Sequence, residues 1–337
     1  MARAYELAGD RLVALPDGEI GERSDRYPAG DRAQWTAGLA GRLAGEASLF
    51  DVLDEGTLDE RGFPVDFDST VRLRPKLDPA ELAGRLRLGY DTWALRSWPH
   101  FERLREAVGR PDLRMQVGLP TGLGIAGSVL GRLRALRYAP AFAACLAREA
   151  DAMAQAIGTG NLLFQIEAPA EVIVAHRLPR PAVRVPTVPV VDFARRLPVD
   201  VPIGIHLCFG DLANTALIVP SRFDRLVAFA NALARRWPRS PELAYVHFPF
   251  AAGTSPAPTD LAAYRALRKL SLPSGTRLVA GFVHEEPPPE TLEVLLAAIE
   301  QAGARQVDTA TACGLGRRTP EVADELIRRC KHLALSR

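Results

Sequence analysis

The chain has 337 residues, of which 47% are apolar and 24% are charged, so it can bury a large core and lacks the composition of a disordered protein. Its 42 Lys and Arg residues nearly balance 40 Asp and Glu residues, and the formal net charge of +2 gives no electrostatic argument for a nucleic-acid partner. The four cysteines are few and widely spaced, which is unlike a secreted disulfide framework.

The amino-terminal segment and the hydropathy of the chain bear on its location. Residues 1–19 are charged and interrupted by Gly and Pro, unlike a signal peptide or an anchor. No run of about 18 apolar residues occurs along the chain. We therefore expect a cytoplasmic protein with neither a membrane nor a nucleic acid among its partners.

The first half of the chain has an irregular pattern of strand and helix signals. Its predicted elements, in chain order, are a strand at Arg11–Leu15, a helix at 31–48, an irregular and partly β insertion at 49–76 with one strand within 63–73, a helix at 91–108, a strand at Leu113–Leu119 and a long helix at 140–157.

The second half alternates regularly between short β-rich runs and amphipathic segments of helical length. The predicted strands are Leu162–Glu167, Val201–Leu207, Leu243–Phe248, Arg277–Val283 and Gln306–Thr311. The predicted helices lie near 187–197, 221–236, 260–269, 289–302 and 319–333.

The two halves together supply eight βα units. Repeated βα units imply a parallel sheet with right-handed crossovers, and eight of them favour closure of that sheet. We therefore predict a single (β/α)8 TIM barrel domain over residues 1–337, with the irregular insertion at 49–76. The glycine-rich segment Gly118–Gly124 matches neither a Rossmann fingerprint nor a P-loop, so no nucleotide site is predicted.

Polar residues gather where the predicted strands end, which is the functional end of a parallel barrel. His206 and Cys208 are two residues apart, so on a strand they project to the same side. Cys313, at the end of the last strand, could complete the set from across the mouth, and such a nitrogen and sulfur set prefers zinc. From spacing alone, Cys208 and Cys313 could equally be small residues of the core. We expect that role for Cys145 and Cys330, which lie in predicted helices with apolar neighbours.

Several motifs resemble those of cobalamin-independent methionine synthase, in the superfamily that also contains uroporphyrinogen decarboxylase. They are the pair His206 and Cys208, the strand Gln165–Glu171 (QIEAPAE), the closing Cys313–Arg318 (CGLGRR) and the stretch Trp93–Leu123. The motifs occur in the family's order and cover essentially the whole chain, although methionine synthase has two barrels and this chain supplies only the catalytic one.

This resemblance implies a zinc ion held by His206, Cys208 and Cys313. In the family a Glu from the sixth strand is a further ligand, but this chain has His247 there, and we expect His247 to be either the fourth ligand or a substrate contact. Glu285 or Glu286 could also reach the metal. We further expect His247 and His284 to act in catalysis.

The expected substrate-binding residues are charged groups at strand ends. Glu167 resembles the family's acidic residue that holds the substrate amino group. In the loop after the first strand, Arg23 suits a carboxylate or sulfonate and acidic residues suit an amine. The predicted set is Asp17, Glu19, Arg23, Glu167 and Glu285.

The resemblance implies an enzyme that transfers a methyl or alkyl group from a small-molecule donor to a thiol activated by zinc. Thiol attack on an epoxide, as in a related family, is a variant of this chemistry. Two alternatives stay open: a metal-independent decarboxylase or lyase of the uroporphyrinogen decarboxylase type, and a non-catalytic zinc-binding accessory protein. Metal analysis distinguishes the metal-independent decarboxylase or lyase from the zinc-dependent transferase.

Overall fold

A sheet of seven parallel strands forms the centre of the computed structural model, which describes residues 1–16, 25, 36–60, 63–212 and 214–335. Neighbouring strands pair in the order β1-β4-β5-β6-β7-β8-β9. The strands are β1 (Ala14–Pro16), β4 (Arg114–Pro120), β5 (Leu162–Glu167), β6 (Ile203–His206), β7 (Leu243–Pro249), β8 (Arg277–Val283) and β9 (Asp308–Thr311). The five strands predicted in the second half are confirmed, and all of them run parallel.

Helices connect the strands and cover the sheet. They are α1 (Ala2–Ala8), α2 (Thr36–Ala44), α3 (Pro79–Arg85), α4 (Tyr90–Ala107), α5 (Gly122–Leu130), α6 (Arg132–Ile157), α7 (Pro169–Arg177), α8 (Thr187–Ala194), α9 (Asp224–Arg236), α10 (Pro289–Gly303) and α11 (Pro320–Leu335). Between β7 and β8 the connection Leu261–Lys269 is a 3₁₀ helix where we expected an α-helix.

The predicted closed (β/α)8 barrel is wrong. The sheet curls into a half-barrel, and within the described part of the chain no strand pairs with the outer edge of β1 or of β9. The segment 63–73, which we expected to supply one of the eight barrel strands, leads instead into β3 (Arg72–Pro75). This strand pairs antiparallel with β2 (Phe50–Asp54) in a separate two-stranded sheet. The predicted insertion therefore folds as an antiparallel ribbon and contributes nothing to the barrel wall.

The first and last helices lie against each other near the two edges of the half-barrel. Arg3 of α1 contacts Asp324 of α11 at 2.5 Å, and Asp10 after α1 contacts Lys331 of α11 at 2.8 Å. These partly exposed ion pairs contribute little free energy each. They nevertheless show that the chain ends meet across the gap between the edge strands.

Two glycines leave room for long side chains on the inner face of the sheet. A Cβ atom on Gly204 of β6 would lie 2.0 Å from the ring of Tyr245, and one on Gly281 of β8 would lie 2.4 Å from the ring of His247. Tyr245 and His247 both belong to β7 and share one face of that strand. The glycines thus allow two side chains of one strand to extend over the neighbouring strands in opposite directions.

One carboxyl group is buried among the helices that follow β4 and β5. Glu171 of α7 has no exposed surface and lies beside the hydroxyl of Thr121, which caps α5. Within the described chain neither of its oxygens has a well-aligned hydrogen-bond donor. Burial raises the pKa of Glu171 to about 7, and the Thr121 hydroxyl opposes this rise only in part.

Glu171→Gln should therefore change how stability depends on pH. Below about pH 4.5 the carboxyl group is neutral in both the folded and the unfolded chain. Between about pH 4.5 and pH 7 it ionises in the unfolded chain but not in the folded one, so the free energy of unfolding falls as the pH rises. Since a tenfold change in acidity is worth about 1.4 kcal/mol, the full loss is on the order of 3 kcal/mol. In urea unfolding at about pH 5 and pH 8, the free energy of unfolding of the variant, relative to that of the wild type, should be greater at pH 8. An equal difference between the two proteins at both pH values would contradict this account.

Candidate metal centre

The ends of β6 and β9 bring one imidazole and two thiols together. His206 is the last residue of β6, and Cys208 follows two residues later; Cys313 follows the end of β9 by the same interval. The two sulfur atoms lie 3.3 Å apart although the residues are 105 positions apart in the chain. Cys313 Sγ lies 3.6 Å from His206 Nε2, and one ligand atom from each of the three residues lies within 4.8 Å of the other two. This group could hold a metal ion.

The distances within the group suit a tetrahedral ion. With Zn–S lengths of about 2.3 Å and Zn–N lengths of about 2.1 Å, two sulfur ligands lie about 3.8 Å apart and a sulfur and a nitrogen about 3.6 Å apart. The observed sulfur–nitrogen distance already has this value, and the sulfur atoms would need to separate by about half an ångström. A disulfide, at about 2.05 Å, would need a larger movement in the opposite direction.

The two thiols differ in acidity. The pKa of Cys208 lies well below the ordinary thiol value, because the thiol of Cys313 and the ring of His206 both stabilise its thiolate against the cost of burial. The pKa of Cys313 is raised well above that value, because it shares a hydrogen bond with Cys208 and is buried beside that thiolate. One thiolate thus forms readily, while the second needs a cation to stabilise it.

His247 lies directly beside His206 but outside the group of three. The register of the two strands pairs these residues, and their Nδ1 atoms are 2.6 Å apart. The Nε2 atom of His247 lies 3.0 Å from the backbone carbonyl of Thr311 on β9. Burial and the neighbouring imidazole lower the pKa of His247 well below the usual value, so its ring is neutral at pH 7. Hydrogen bonds thus occupy both nitrogens of His247, and one of them supports His206. The roles expected for His247, as a fourth ligand, a substrate contact or a catalytic residue, stay predictions.

Glu167 approaches the group from β5. Its Oε2 lies 3.7 Å from His206 Nε2, and its Oε1 accepts a hydrogen bond of 2.6 Å from Gln165 Nε2. Tyr245 in turn donates to Gln165 Oε1, so the strand across β6 also takes part. When ionised, a carboxylate at this distance from His206 Nε2 adds a negative charge beside the group, which a cation would neutralise. The role of Glu167 toward a substrate amine stays a prediction.

The structure does not bring His284 and Glu285 into this group. His284 Nε2 lies 3.3 Å from the carbonyl of Gly253, and its Nδ1 accepts from the backbone N–H of Glu286. Glu285 accepts hydrogen bonds from the Nε of Arg318 at 3.1 Å. These contacts join the loops after β7, β8 and β9. A catalytic role for His284 and a substrate role for Glu285 stay predictions.

Three of the predicted substrate residues cannot be placed: Asp17, Glu19 and Arg23 lie outside the described residues. Conversely, the sequence patterns assigned no role to Gln165 and Tyr245, although period-two spacing puts them on the same strand faces as Glu167 and His247. Asp211 and Arg317 form a second unassigned pair, half-buried beside the group, with 3.3 Å between Oδ2 and Nη1. Burial raises the pKa of Asp211, and Arg317 opposes the rise.

The group opens on a cavity of about 1550 Å³ on the inner face of the half-barrel. The polar residues of its wall include Gln116, Gln165, Glu167, Tyr245 and Thr311, beside the three residues of the group. Leu163 and Val279 are among the apolar residues of the wall. A small molecule in this cavity could therefore contact the group directly.

The chain matches no protein-family model, and no curated protein is significantly similar to it. The resemblance to cobalamin-independent methionine synthase therefore stays a prediction, and the chemistry of the site has to support any function. None of the helices in the described part of the chain combines the length and the apolarity that crossing a bilayer requires.

The difference in acidity predicts which cysteine reacts first. In protein freed of metal with a chelator, iodoacetamide at about pH 7 should alkylate Cys208 ahead of the others, because only this thiol has a depressed pKa and lines the cavity. Burial raises the pKa of both Cys145 and Cys330 to about 12. Peptide mass spectrometry over time gives the order of modification. Labelling of Cys145 or Cys330 before Cys208 would refute the predicted order.

Proposed function

We propose that the protein is a zinc-dependent enzyme that transfers a methyl or alkyl group to a small-molecule thiol. The observation that supports this most directly is the set of three ligand atoms, from His206, Cys208 and Cys313, that opens on a large cavity. Two thiols and an imidazole favour zinc over magnesium, calcium or manganese.

In the part of the chain that the structure describes, three residues form the group, and this number of ligands favours catalysis over a structural role. Structural zinc sites are closed by four protein ligands, whereas catalytic sites have three and leave a position for substrate. The cavity beside the three residues provides the space that such a substrate needs. A structural site would have no use for the wall of amide, carboxylate and phenol groups around it.

Zinc at this position would supply a Lewis acid that lowers the pKa of a substrate thiol, so that the thiolate predominates at neutral pH. The residues of the chain would orient the reactants and move the proton. Glu167, held by Gln165, is placed to receive the proton of the substrate thiol. The thiol sulfur then forms a bond to the alkyl carbon of the donor while the bond from that carbon to its leaving atom breaks. The leaving atom retains the electron pair and takes up the proton.

Zinc content tests the first part of this proposal. Protein purified without added metal should contain about one zinc per chain, and both Cys208→Ser and Cys313→Ser should lose it. Cys145→Ser is the matched control, since its thiol donates to the carbonyl of Leu86 and a hydroxyl can do the same. Loss of a ligand should weaken zinc affinity by at least the 10- to 100-fold typical of losing an outer partner.

Equal zinc content in all three variants would contradict the ligand assignment. Absence of metal from every preparation, with no uptake of added zinc, would favour the metal-independent decarboxylase or lyase alternative.

Cobalt substitution tests whether the fourth position is open to a thiol. The Co²⁺-loaded protein should show thiolate-to-cobalt absorption from two cysteines, and 2-mercaptoethanol should increase that absorption as a third sulfur binds. A site closed by protein ligands would leave the spectrum unchanged at every thiol concentration. That outcome would support the zinc-binding accessory role and contradict thiol activation.

A further inference from the structure

We propose that His247 is a positioning residue, which fixes the imidazole of His206 in the tautomer that directs its Nε2 lone pair toward Cys208 and Cys313. This inference rests on the metal centre of the proposed function, and it names the part of the fold that prepares that centre for a metal.

The backbone carbonyl of Thr311 determines which nitrogen of His247 carries a proton. A carbonyl oxygen can only accept a hydrogen bond, so the Nε2 of His247, 3.0 Å away, must carry a proton. A neutral imidazole has one protonated nitrogen, so the Nδ1 of His247 has a lone pair. That lone pair faces the Nδ1 of His206 at 2.6 Å, and only an N–H there forms a hydrogen bond. The neutral ring of His206 therefore has its lone pair on Nε2.

The geometry of the two rings supports an N–H···N bond between them. Their nitrogens are 2.6 Å apart, whereas their centroids are 4.6 Å apart, so the rings meet edge to edge rather than face to face. The planes differ by only 18°, which keeps the N–H of one ring directed at the lone pair of the other.

Gly281 makes this arrangement sterically feasible. It lies on β8, between His247 on β7 and Thr311 on β9. A Cβ atom at this position would lie 2.4 Å from His247 Nε2 and 2.8 Å from the carbonyl oxygen of Thr311. Any larger residue would displace the ring or the backbone that accepts its proton. Gly281 is therefore needed for the hydrogen bond between His247 and Thr311.

A fixed tautomer matters because a histidine ligand binds metal only through an unprotonated nitrogen. An unsupported imidazole divides its population between two tautomers and several ring orientations. A partner on the second nitrogen selects one of them and raises the basicity of the ligand, and its loss typically weakens metal binding by 10- to 100-fold.

The experiment compares four variants by zinc competition titration and by histidine ¹⁵N NMR. His247→Leu removes both hydrogen bonds, whereas His247→Gln can still accept from His206 through its carbonyl oxygen and donate to Thr311 through its amide. Gly281→Ala leaves every polar group intact but obstructs the ring. Gly84→Ala is the control, since a Cβ there meets nothing within 4 Å.

We expect zinc affinity to fall 10- to 100-fold in His247→Leu and Gly281→Ala, to change only a few-fold in His247→Gln and to stay unchanged in Gly84→Ala. In metal-free wild type, a ¹⁵N pH series should show that the neutral form of His206 is protonated on Nδ1. His247→Leu should show a mixture of tautomers.

The same His206 tautomer and the same zinc affinity in wild type, His247→Leu and Gly281→Ala would overturn the proposal. The NMR measurement needs no metal, so a protein that never bound zinc would refute the proposed function while the tautomer result still decided this inference. Should His247→Leu fail to fold, the comparison of His247→Gln with Gly281→Ala gives the same decision.

Discussion

The curl of the parallel sheet is the constraint on which the rest of the site depends. In a flat sheet the ends of β6 and β9 would be separated by three interstrand spacings of about 4.8 Å each, too far for one metal ion to bridge. In the half-barrel, Cys208 and Cys313 meet at 3.3 Å, and His206 lies beside them. The inner face of the same sheet forms the cavity on which they open. The site therefore depends on the curvature of the sheet. Any change that flattened the sheet would separate His206 and Cys208 from Cys313, even if all three residues were unchanged.

Strand β7, one of the two strands between β6 and β9, supplies the supporting contacts. Its Tyr245 extends over Gly204 and donates a hydrogen bond to Gln165 of β5, which in turn donates one to Glu167. Its His247 extends over Gly281 toward β9 and also forms a hydrogen bond with His206 of β6. Buried polar groups of this kind are costly unless each is hydrogen-bonded, and here the bonds connect the four strands β5, β6, β7 and β9 across the inner face. The two glycines leave room for these contacts at the cost of side-chain packing on β6 and β8.

The sequence patterns predicted the local elements and the ligand set better than they predicted the closure of the fold. Alternating β-rich and amphipathic runs identified the five strands of the second half, because each such strand is bounded by turn residues. The strand assigned to 63–73 was misplaced, because periodicity does not tell whether a β segment pairs with its neighbour in an antiparallel ribbon or with a distant parallel strand. The long helix predicted at 140–157 begins earlier, at Arg132, and Pro140 lies inside it. The spacing of His206 and Cys208 indicated a shared face, yet the roles of Gly204 and Gly281 depend on strand register, which a single sequence does not display.

The proposed function requires two thiolates and one imidazole of this chain to hold zinc and to leave a further position for substrate. X-ray absorption at the zinc edge tests it most directly, because the distances to the neighbouring atoms identify those atoms. For the zinc-loaded protein, we expect two sulfur atoms at about 2.3 Å, one imidazole nitrogen at about 2.1 Å and one lighter atom that an added thiol replaces with sulfur. A shell of nitrogen and oxygen alone, or one that stays the same when a thiol is added, would contradict the account.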